Sequence, residues 1–338
     1  RDKDMNLNKF FSEDIREIEK TDFIPWERFA HKTIFITGGT GLIGRSIVKA
    51  LLHINEKQSL GITILLLVRD RKKAAGRFKD MLSDRALCFV EGCVEHLPAV
   101  DMPVDFIIHG ASQTASKEFI LHPVETIETA VKGTMNLLEL ARIKGVEGFV
   151  YLSSMEVYGY PEKGHKVKED EIGTFSPLDI RNSYPASKSL CELLCNCYGK
   201  EYNIPAKIVR LTQTFGPNTD SSDNRIFAYF VRCMIEKKNI ELKTRGETER
   251  CYLHITDAVT AVLTVLLNGE TGQAYNAADE STYCSIGELA ESVAEYAGVK
   301  VVIKAEEEAK NGYPGTFYMN LDTTKIKGLG WFPIRNFS

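Results

Sequence analysis

The chain has 338 residues, of which 43% are hydrophobic and 26% are charged, and its formal net charge is -4. These totals are typical of a globular protein with one large or two ordinary domains, and the slight negative charge gives no reason to expect nucleic-acid binding. The apolar run Ile62 to Val68 is far shorter than the roughly 20 residues that cross a bilayer, so we expect no membrane-spanning segment. Because the first residues lack the basic and apolar regions of a secretory signal, we expect a cytoplasmic protein.

The eight cysteines contain no C-x-x-C pair. Cys191, Cys195 and Cys197 fall on one predicted helix, but a second cysteine pair or a histidine partner for a metal is missing. We therefore predict buried free thiols and no metal site.

Residues 1–31 form a charged arm dotted with aromatic residues, which we interpret as a helix packed on the main domain. From Lys32 onward, strand patterns alternate with helix patterns. Strands are predicted at 33–37, 62–68, 87–90, 104–109, 147–153 and 206–212, and helices at 41–53, 72–82, 124–143 and 184–201. Continuous apolar strands between amphipathic helices are typical of a parallel sheet covered on both faces. We therefore predict an α/β fold with a doubly wound parallel (Rossmann) sheet in residues 32–215, binding its ligand at the carboxyl edge of the strands.

After Gly216 and Pro217 the alternation becomes irregular. Helices are predicted at 226–237, 257–267 and 285–297, and short strands at 240–243, 273–276 and 300–303. Residues 216–338 are expected to form a smaller C-terminal α/β lobe that binds the substrate, while a segment near 252–276 returns to the large sheet.

The glycine-rich stretch from Thr37 to Gly44 joins the first predicted strand to the first helix. Glycine permits a tight turn and a close approach to a pyrophosphate, whose charge is stabilised by the open N–H groups at a helix start. This context predicts a dinucleotide site. At the end of the second strand, an acidic residue suits the ribose hydroxyls of NAD and a basic one suits the 2′-phosphate of NADP. Arg69 comes first there and Asp70 second, which favours NADP; an ordinary charged strand end is the alternative.

Two further stretches supply reactive groups. Tyr184 and Lys188 are four residues apart at the start of a predicted helix and so share one face. A free tyrosine has a pKa of about 10, which a nearby ammonium and a positively charged nicotinamide would lower. Ser153 and Ser154 end a predicted buried strand, where a serine can hydrogen-bond a sugar hydroxyl while Tyr184 removes its proton.

These three stretches, in this order, resemble the extended short-chain dehydrogenase/reductase family, which contains nucleotide-sugar epimerases, dehydratases and decarboxylases. The resemblance extends from about Lys32 to Pro333. It implies that Ser154, Tyr184 and Lys188 are catalytic, and that a tightly bound NAD or NADP takes a hydride from C4 of the sugar. The cofactor contacts it implies are Gly38, Gly41, Leu42, Ile43, Gly44, Arg69, Asp70, Ala111, Tyr184 and Lys188.

Glu156 stands where the dehydratases and decarboxylases of this family carry a glutamate, which can move the proton at C5 of the sugar. Dehydratases also place an acid directly before it, where this chain has Met155. UDP-glucuronate decarboxylase needs no such acid, because its 4-keto acid loses carbon dioxide spontaneously. A UDP-glucuronate decarboxylase or a 4,6-dehydratase is therefore the leading hypothesis. The alternatives are a 4-epimerase or 4-keto reductase, and an NAD(P)-binding sensor without catalysis.

The resemblance also implies the nature of the partners. Implied substrate contacts are Gln113, Gln213, Arg225 and Arg250, with the two arginines binding the diphosphate of a nucleotide sugar. Four positions depart from the family pattern and leave the nucleotide and the sugar open: Cys93, Ala130, Ser154 and Gln213. Because helices 124–143 and 184–201 commonly pair across a twofold axis in this family, we expect a homodimer.

Overall fold

A computed structural model describes residues 12–82, 84–113, 116–217, 219, 223, 225–304 and 316–335. Numbered in chain order, the strands are β1 (Thr33–Thr37), β2 (Thr63–Val68), β3 (Leu87–Glu91), β4 (Phe106–His109), β5 (Gly148–Ser154), β6 (Lys166–Val167), β7 (Ala206–Leu211), β8 (Gln213–Phe215), β9 (Ile240–Leu242), β10 (Glu249–His254), β11 (Ala274–Ala277), β12 (Asp279–Ser285), β13 (Val301–Ile303) and β14 (Tyr318–Leu321). The helices are α1 (described over 12–19), α2 (Leu42–Gln58), α3 (Arg71–Arg77), α4 (Ser116–Leu121), α5 (Pro123–Lys144), α6 (Ser183–Tyr202), α7 (Ile226–Glu236), α8 (Ile255–Asn268), α9 (Ile286–Ala297) and α10 (Thr324–Lys327).

The large sheet has seven strands in the order β11-β7-β5-β4-β1-β2-β3, and each neighbouring pair is parallel. The chain therefore runs outward from β1 in one direction and from β4 in the other. Such a reversal opens a crevice at the carboxyl ends of the two central strands, where doubly wound sheets bind ligands. This topology confirms the predicted fold class.

Alternate residues of β1 explain why both faces of the sheet are covered. Ile34 and Ile36 pack with apolar residues of α1, α2 and α8, whereas Phe35 packs with those of α5 and α6. Successive side chains of a strand point to opposite faces, so an apolar strand needs helices on both sides. In the N-terminal arm, Ile15 and Ile18 of α1 lie in the first of these clusters, in agreement with a helix packed on the main domain.

The second lobe contains two sheets. In the five-stranded sheet, β12, β10, β14 and β6 are neighbours in that order, and β8 pairs with β10. The other sheet has two strands, β13 and β9. Strand β11 belongs to the seven-stranded sheet. No range was predicted from the sequence for β6, β8, β10, β12, β14, α4 or α10. The five strands pair with residues distant in sequence and the two helices have six residues or fewer, so local periodicity could not reveal them. The division of the chain after residues 31 and 215 stays a prediction.

The eight cysteines all lie in the described ranges and are free thiols. Cys191, Cys195, Cys233 and Cys251 are buried. The expectation of burial is wrong for Cys197, which is exposed because it lies on the outer face of α6, and Cys88, Cys93 and Cys284 are half-buried.

Candidate active site

The glycine turn between β1 and α2 lies against the end of β4. Gly38 has φ +72°, and a Cβ placed on it would lie 2.5 Å from the carbonyl carbon and oxygen of Gly110. A Cβ on Gly44 would lie 2.5 Å from the carbonyl oxygen of Gly38. Glycine is therefore required at both positions for the turn to close against α2 and β4.

The start of α2 can accept an anion. Gly41 is its N-cap residue, no side chain caps it within the described part of the chain, and its first turn carries no acidic residue. The N–H groups at Leu42 and Ile43 are therefore open donors at the positive end of the helix dipole. These residues fit a dinucleotide, whose pyrophosphate they would hold.

A buried histidine joins the ends of β1 and β4 behind this turn. Nδ1 of His109 lies 2.8 Å from Oγ1 of Thr37, and Nε2 lies 3.1 Å from Oγ1 of Thr134. Burial, together with the charge of Lys188, lowers the pKa of His109 to about 3, so the ring is neutral at pH 7. The backbone N–H of Ala111, a predicted cofactor contact, donates to Oγ1 of Thr37 at 3.1 Å. His109 therefore holds the ends of β1 and β4 together beside the predicted cofactor contact Ala111, a role that the sequence did not reveal.

The two charged residues that follow β2 have different environments. Arg69 and Asp70 are both exposed. The carboxylate of Asp70 accepts the backbone N–H of Lys73 at 3.0 Å and caps α3. Asp70 thus already has a hydrogen-bonding role, whereas Arg69 caps none of the described helices and its charge helps to lower the pKa of Glu95.

The structure brings Ser154, Tyr184 and Lys188 together at the carboxyl edge of β5. The Tyr184 ring stacks on Phe119 of α4, with centroids 4.4 Å apart and planes 2° from parallel. Its phenol hydrogen-bonds the side chain of Ser154. Nζ of Lys188 lies 5.8 Å from the Tyr184 ring centroid. Phe119, which fixes the orientation of the ring, carried no signal in the sequence.

Burial changes the ionisation of this trio. It raises the pKa of Tyr184 above its ordinary value, and the charge of Glu156 adds to the rise, while Ser154 and Arg225 oppose it. Burial also lowers the pKa of Lys188 to about 8. The lowering expected from an ammonium together with a bound nicotinamide is therefore not seen in the protein alone, because desolvation outweighs the hydrogen bond of Ser154 and the charge of Arg225. A positively charged ligand beside the phenol would have the opposite effect.

Glu156 lies in the same region, in the short 3-10 helix Met155–Tyr158. Burial raises its pKa, and the charges of Arg181 and Arg250 oppose that rise. Nε of Arg250 is buried and has no hydrogen-bond partner among the described residues. Its guanidinium carbon lies 5.1 Å from the centroid of the Phe317 ring. Arg250 is therefore a half-buried cation whose buried Nε can donate to an anionic ligand, and Arg181 is a second cation that the sequence did not single out.

Met155 faces away from this cluster of charges. It is 5% exposed and packs with the apolar core of the second lobe. Its sulfur accepts the Thr212 hydroxyl at 3.2 Å. No proton donor therefore stands at position 155.

The remaining predicted substrate contacts are Arg225, Gln213 and Gln113, and the structure links them less closely to the trio. Arg225 precedes α7, where its Nε and Nη2 donate to Oδ2 of Asp223 at 2.9 and 2.6 Å. Its charge acts on Tyr184, so the guanidinium faces the same region. Gln213 begins β8 and is half-buried, and Gln113 is exposed beyond β4. Within the described ranges, no hydrogen bond joins the side chain of either glutamine to the trio.

The described residues contain no group of three or more His, Cys, Asp or Glu side chains that could hold a metal ion. Among their helices, none combines the length and the apolar character that crossing a bilayer requires.

The chain is similar to known nucleotide-sugar enzymes over most of its length. The UDP-glucuronic acid decarboxylase 6 of Arabidopsis thaliana is 29% identical over 307 residues, which cover 89% of this chain and 84% of that protein. The dTDP-glucose 4,6-dehydratase of Streptomyces niveus is 27% identical over 307 residues, covering 89% and 88%. Among solved structures, the dTDP-glucose 4,6-dehydratase DesIV from Streptomyces venezuelae with NAD and TYD bound has a TM-score of 0.76 at 25% identity, covering 90% of this chain and 93% of that one.

The sequence model of one family matches most of the chain. It spans residues 34–278, from β1 to the residue after β11, and thus includes the glycine turn, Ser154, Tyr184 and Lys188. This range contains all seven strands of the large sheet except the first residue of β1. The chain therefore belongs to the NAD dependent epimerase/dehydratase family.

Proposed function

We propose that this protein is an NAD(P)-dependent enzyme that oxidises a nucleotide sugar at C4 and then decarboxylates it, as a UDP-glucuronate decarboxylase. The observation that carries this proposal is the cluster of Ser154, Tyr184 and Glu156, with Met155 packed away from it. The similarity to decarboxylases and dehydratases supports the same chemistry.

Each residue of the cluster has a defined task in this proposal. Ser154 donates a hydrogen bond to the C4 hydroxyl of the sugar, and Tyr184 removes the proton of that hydroxyl. Lys188 supplies a positive charge beside the phenol. When bound, the nicotinamide takes up the hydride that leaves C4 and later returns it. The chain's own residues thus position the hydroxyl and move its proton.

The resulting C4 ketone makes the second step possible. When the C5–C6 bond breaks, carbon dioxide leaves and the bonding electrons pass to the ketone oxygen as an enolate. Glu156 then delivers a proton to C5, which restores the ketone. Burial raises the pKa of the Glu156 carboxyl, which is the direction that favours a proton donor. Arg225 and Arg250 hold the diphosphate meanwhile.

A panel of nucleotide sugars, analysed by mass spectrometry in light and heavy water, tests the reaction. We expect loss of carbon dioxide from a nucleotide-linked uronic acid and one solvent deuterium at C5. Loss of water instead would identify a 4,6-dehydratase, the second candidate, in which Glu156 would remove the C5 proton. A change of C4 configuration without deuterium would indicate a 4-epimerase, and binding of NAD(P) without any product would indicate a sensor.

We also propose that the cofactor is NADP. The carboxylate of Asp70 is engaged in capping α3, while Arg69 is exposed at the end of β2 and can bind a 2′-phosphate. The dissociation constants of NAD and NADP, measured by titration calorimetry, test this preference. NADP should bind more tightly, and an Arg69→Ala variant should lose that difference while its affinity for NAD is unchanged. Equal effects on both cofactors would contradict the proposal.

The protein is proposed to be a homodimer that pairs α5 and α6 with their copies. Val124, Ile127 and Met135 expose one apolar face of α5, and Leu190 and Leu193 continue it on α6. An Ile127→Glu/Leu193→Glu variant should have the molar mass of a monomer in size-exclusion chromatography with multi-angle light scattering. Tyr296→Glu, at an exposed residue of α9, is the matched control and should leave the dimer intact. A wild-type monomer would exclude the proposal.

A cytoplasmic location is proposed as well. The eight free thiols, of which Cys197 is exposed, suit a reducing compartment. Fractionation of cells that produce the protein, followed by immunoblotting, would test it.

A further inference from the structure

A buried ion pair lies directly behind the candidate trio and joins α6 to β7. Nε of Arg210 donates to Oε1 and Oε2 of Glu192 at 3.0 and 3.2 Å, and Nη2 donates to Oε2 at 2.6 Å. The two side chains are only 12% and 9% exposed. This planar pairing fixes both groups in position and direction.

The two partners hold opposite ends of the segment that carries the candidate catalytic groups. Oγ of Ser153, directly before Ser154, donates to Oε1 of Glu192 at 2.5 Å. Nη1 of Arg210 donates to the hydroxyl of Tyr158 at 2.8 Å. Residues 153–158, which include Ser154 and Glu156, are thus held at their first residue by the carboxylate and at their last by the guanidinium.

The ion pair of Glu192 and Arg210 also involves α6, the helix that carries Tyr184 and Lys188. Glu192 lies four residues after Lys188 on α6, so both side chains are on one helix face. Nζ of Lys188 donates to the carbonyl of Leu152 at 2.6 Å, one residue before the contact made by Glu192. Two successive residues of β5 are therefore bound by two successive turns of α6.

Stability alone does not account for this arrangement. Burying two charges is unfavourable, and apolar pairs of similar volume often replace buried ion pairs without loss of stability. What an apolar pair cannot supply is the set of directed hydrogen bonds to Ser153 and Tyr158.

We propose that Glu192 and Arg210 are positioning residues, which set the place of Ser154 and Glu156 relative to Tyr184 and Lys188. The effect on turnover rests on the proposed function, whereas the effect on residues 153–158 does not.

The variant that separates positioning from folding is Glu192→Leu/Arg210→Met, which removes both charges and leaves none unpaired. We expect its midpoint of thermal unfolding to be no lower than that of the wild type. Its kcat on the nucleotide sugar should fall by about 100-fold, because a small misplacement of catalytic groups has that effect, while KM changes by less than about threefold. Ser153→Ala and Tyr158→Phe, which each remove one link, should each lower kcat by about tenfold.

A matched control is the exposed pair of Lys304, directly after β13, and Glu241 on β9, whose charged atoms are 2.7 Å apart. The Glu241→Leu/Lys304→Met variant should keep wild-type kcat. Wild-type kcat in the Glu192→Leu/Arg210→Met variant would overturn the proposal.

Hydrogen–deuterium exchange of the peptide covering residues 152–158 gives a readout that needs no substrate. The Glu192→Leu/Arg210→Met variant should exchange faster there by about tenfold or more, with β1 and β4 unchanged. Unchanged exchange at 152–158 would overturn the proposal whatever the enzyme assays show. Faster exchange in a protein that converts no nucleotide sugar would refute the proposed function and leave the positioning role standing.

Discussion

The ammonium nitrogen of Lys188 lies 4.6 Å from the centroid of the Tyr151 ring. Tyr151 is in the middle of β5, and Nζ of Lys188 also donates to the carbonyl of the next residue, Leu152. A cation over an aromatic face is stabilised by roughly 2 kcal/mol in a desolvated site. The strand that ends at Ser154 therefore also holds the ammonium in place, and this offsets part of the unfavourable burial of its charge.

Replacing Tyr184 by phenylalanine removes the proposed base and keeps the ring that stacks on Phe119. We expect kcat to fall by about 1,000-fold or more, since the proposed base for the C4 hydroxyl proton is lost. Binding of NADP, measured by titration calorimetry, should stay within about twofold because no cofactor phosphate contact is lost. A Tyr184→Phe variant that keeps wild-type turnover would contradict the proposed role.

Burial of Lys188 makes a pH-dependent prediction. Desolvation lowers its pKa from 10.5 to about 8. Below pH 8 the folded state therefore carries a buried charge that lowers the free energy of unfolding by about 3 kcal/mol. Lys188→Met should therefore unfold at a higher temperature than the wild type at pH 7. This advantage should shrink between pH 8 and 10.5, where the folded wild type loses the proton before the unfolded chain does. Thermal unfolding followed by circular dichroism across this range measures it.

Lys207 provides the matched control for that experiment. It is buried on β7, donates to the carbonyl of Leu266 at 3.1 Å, and has its pKa lowered to about 8 by burial. Lys207→Met should raise the unfolding temperature in the same way and leave turnover intact, whereas Lys188→Met should abolish turnover. Equal losses of activity in the two variants would argue against a catalytic role for Lys188.

Glu156→Gln tests the proton transfer at C5. The amide keeps the size of the side chain but neither gives nor takes a proton, so we expect kcat to fall by about 100- to 10,000-fold. Affinity for UDP should be unchanged, because the proposed diphosphate contacts are Arg225 and Arg250. The diagnostic measurement is the rate of deuterium incorporation at C5 in heavy water. Incorporation at the wild-type rate would show that another group protonates C5.

Arg250→Met tests the diphosphate site. The buried Nε of Arg250 has no hydrogen-bond partner within the described ranges, so a bound diphosphate would gain a charge-assisted hydrogen bond that the variant cannot form. We expect the dissociation constant for UDP, from calorimetry, to rise by about 10- to 150-fold. The variant should be no less stable, because a desolvated charge is removed. Arg245→Gln, at an exposed neighbour, should alter the UDP affinity by less than about threefold.

Local patterns in the chain were sufficient to predict the Rossmann sheet, because each of its strands and helices has its own periodicity. They placed β1 at its observed bounds, 33–37, and located the glycine turn and the helix that carries Tyr184 and Lys188. A helix face spans only a few residues, so two groups four apart meet whatever surrounds them. The Tyr184/Lys188 pair and the serines at the end of β5 were thus available from short segments, whereas the family resemblance of the three stretches together implied that Ser154, Tyr184 and Lys188 are catalytic.

Other properties of the site depend on contacts between residues that are far apart along the chain. Four contacts are of this kind: the stacking of Phe119 on Tyr184, the charge of Arg181 acting on Glu156, the hydrogen bond from Thr212 to the sulfur of Met155, and the ion pair of Glu192 with Arg210. No local pattern encodes them.

The ionisation of the site also depends on residues that are far apart along the chain. The sequence predicted that an ammonium and a bound nicotinamide together lower the pKa of Tyr184, whereas in the protein alone burial raises it. Residue type and spacing therefore determined which chemical groups this protein has at the sheet edge. Only the tertiary structure decided how those groups are desolvated, paired and aimed, because burial and long-range contacts exist only once the chain has folded.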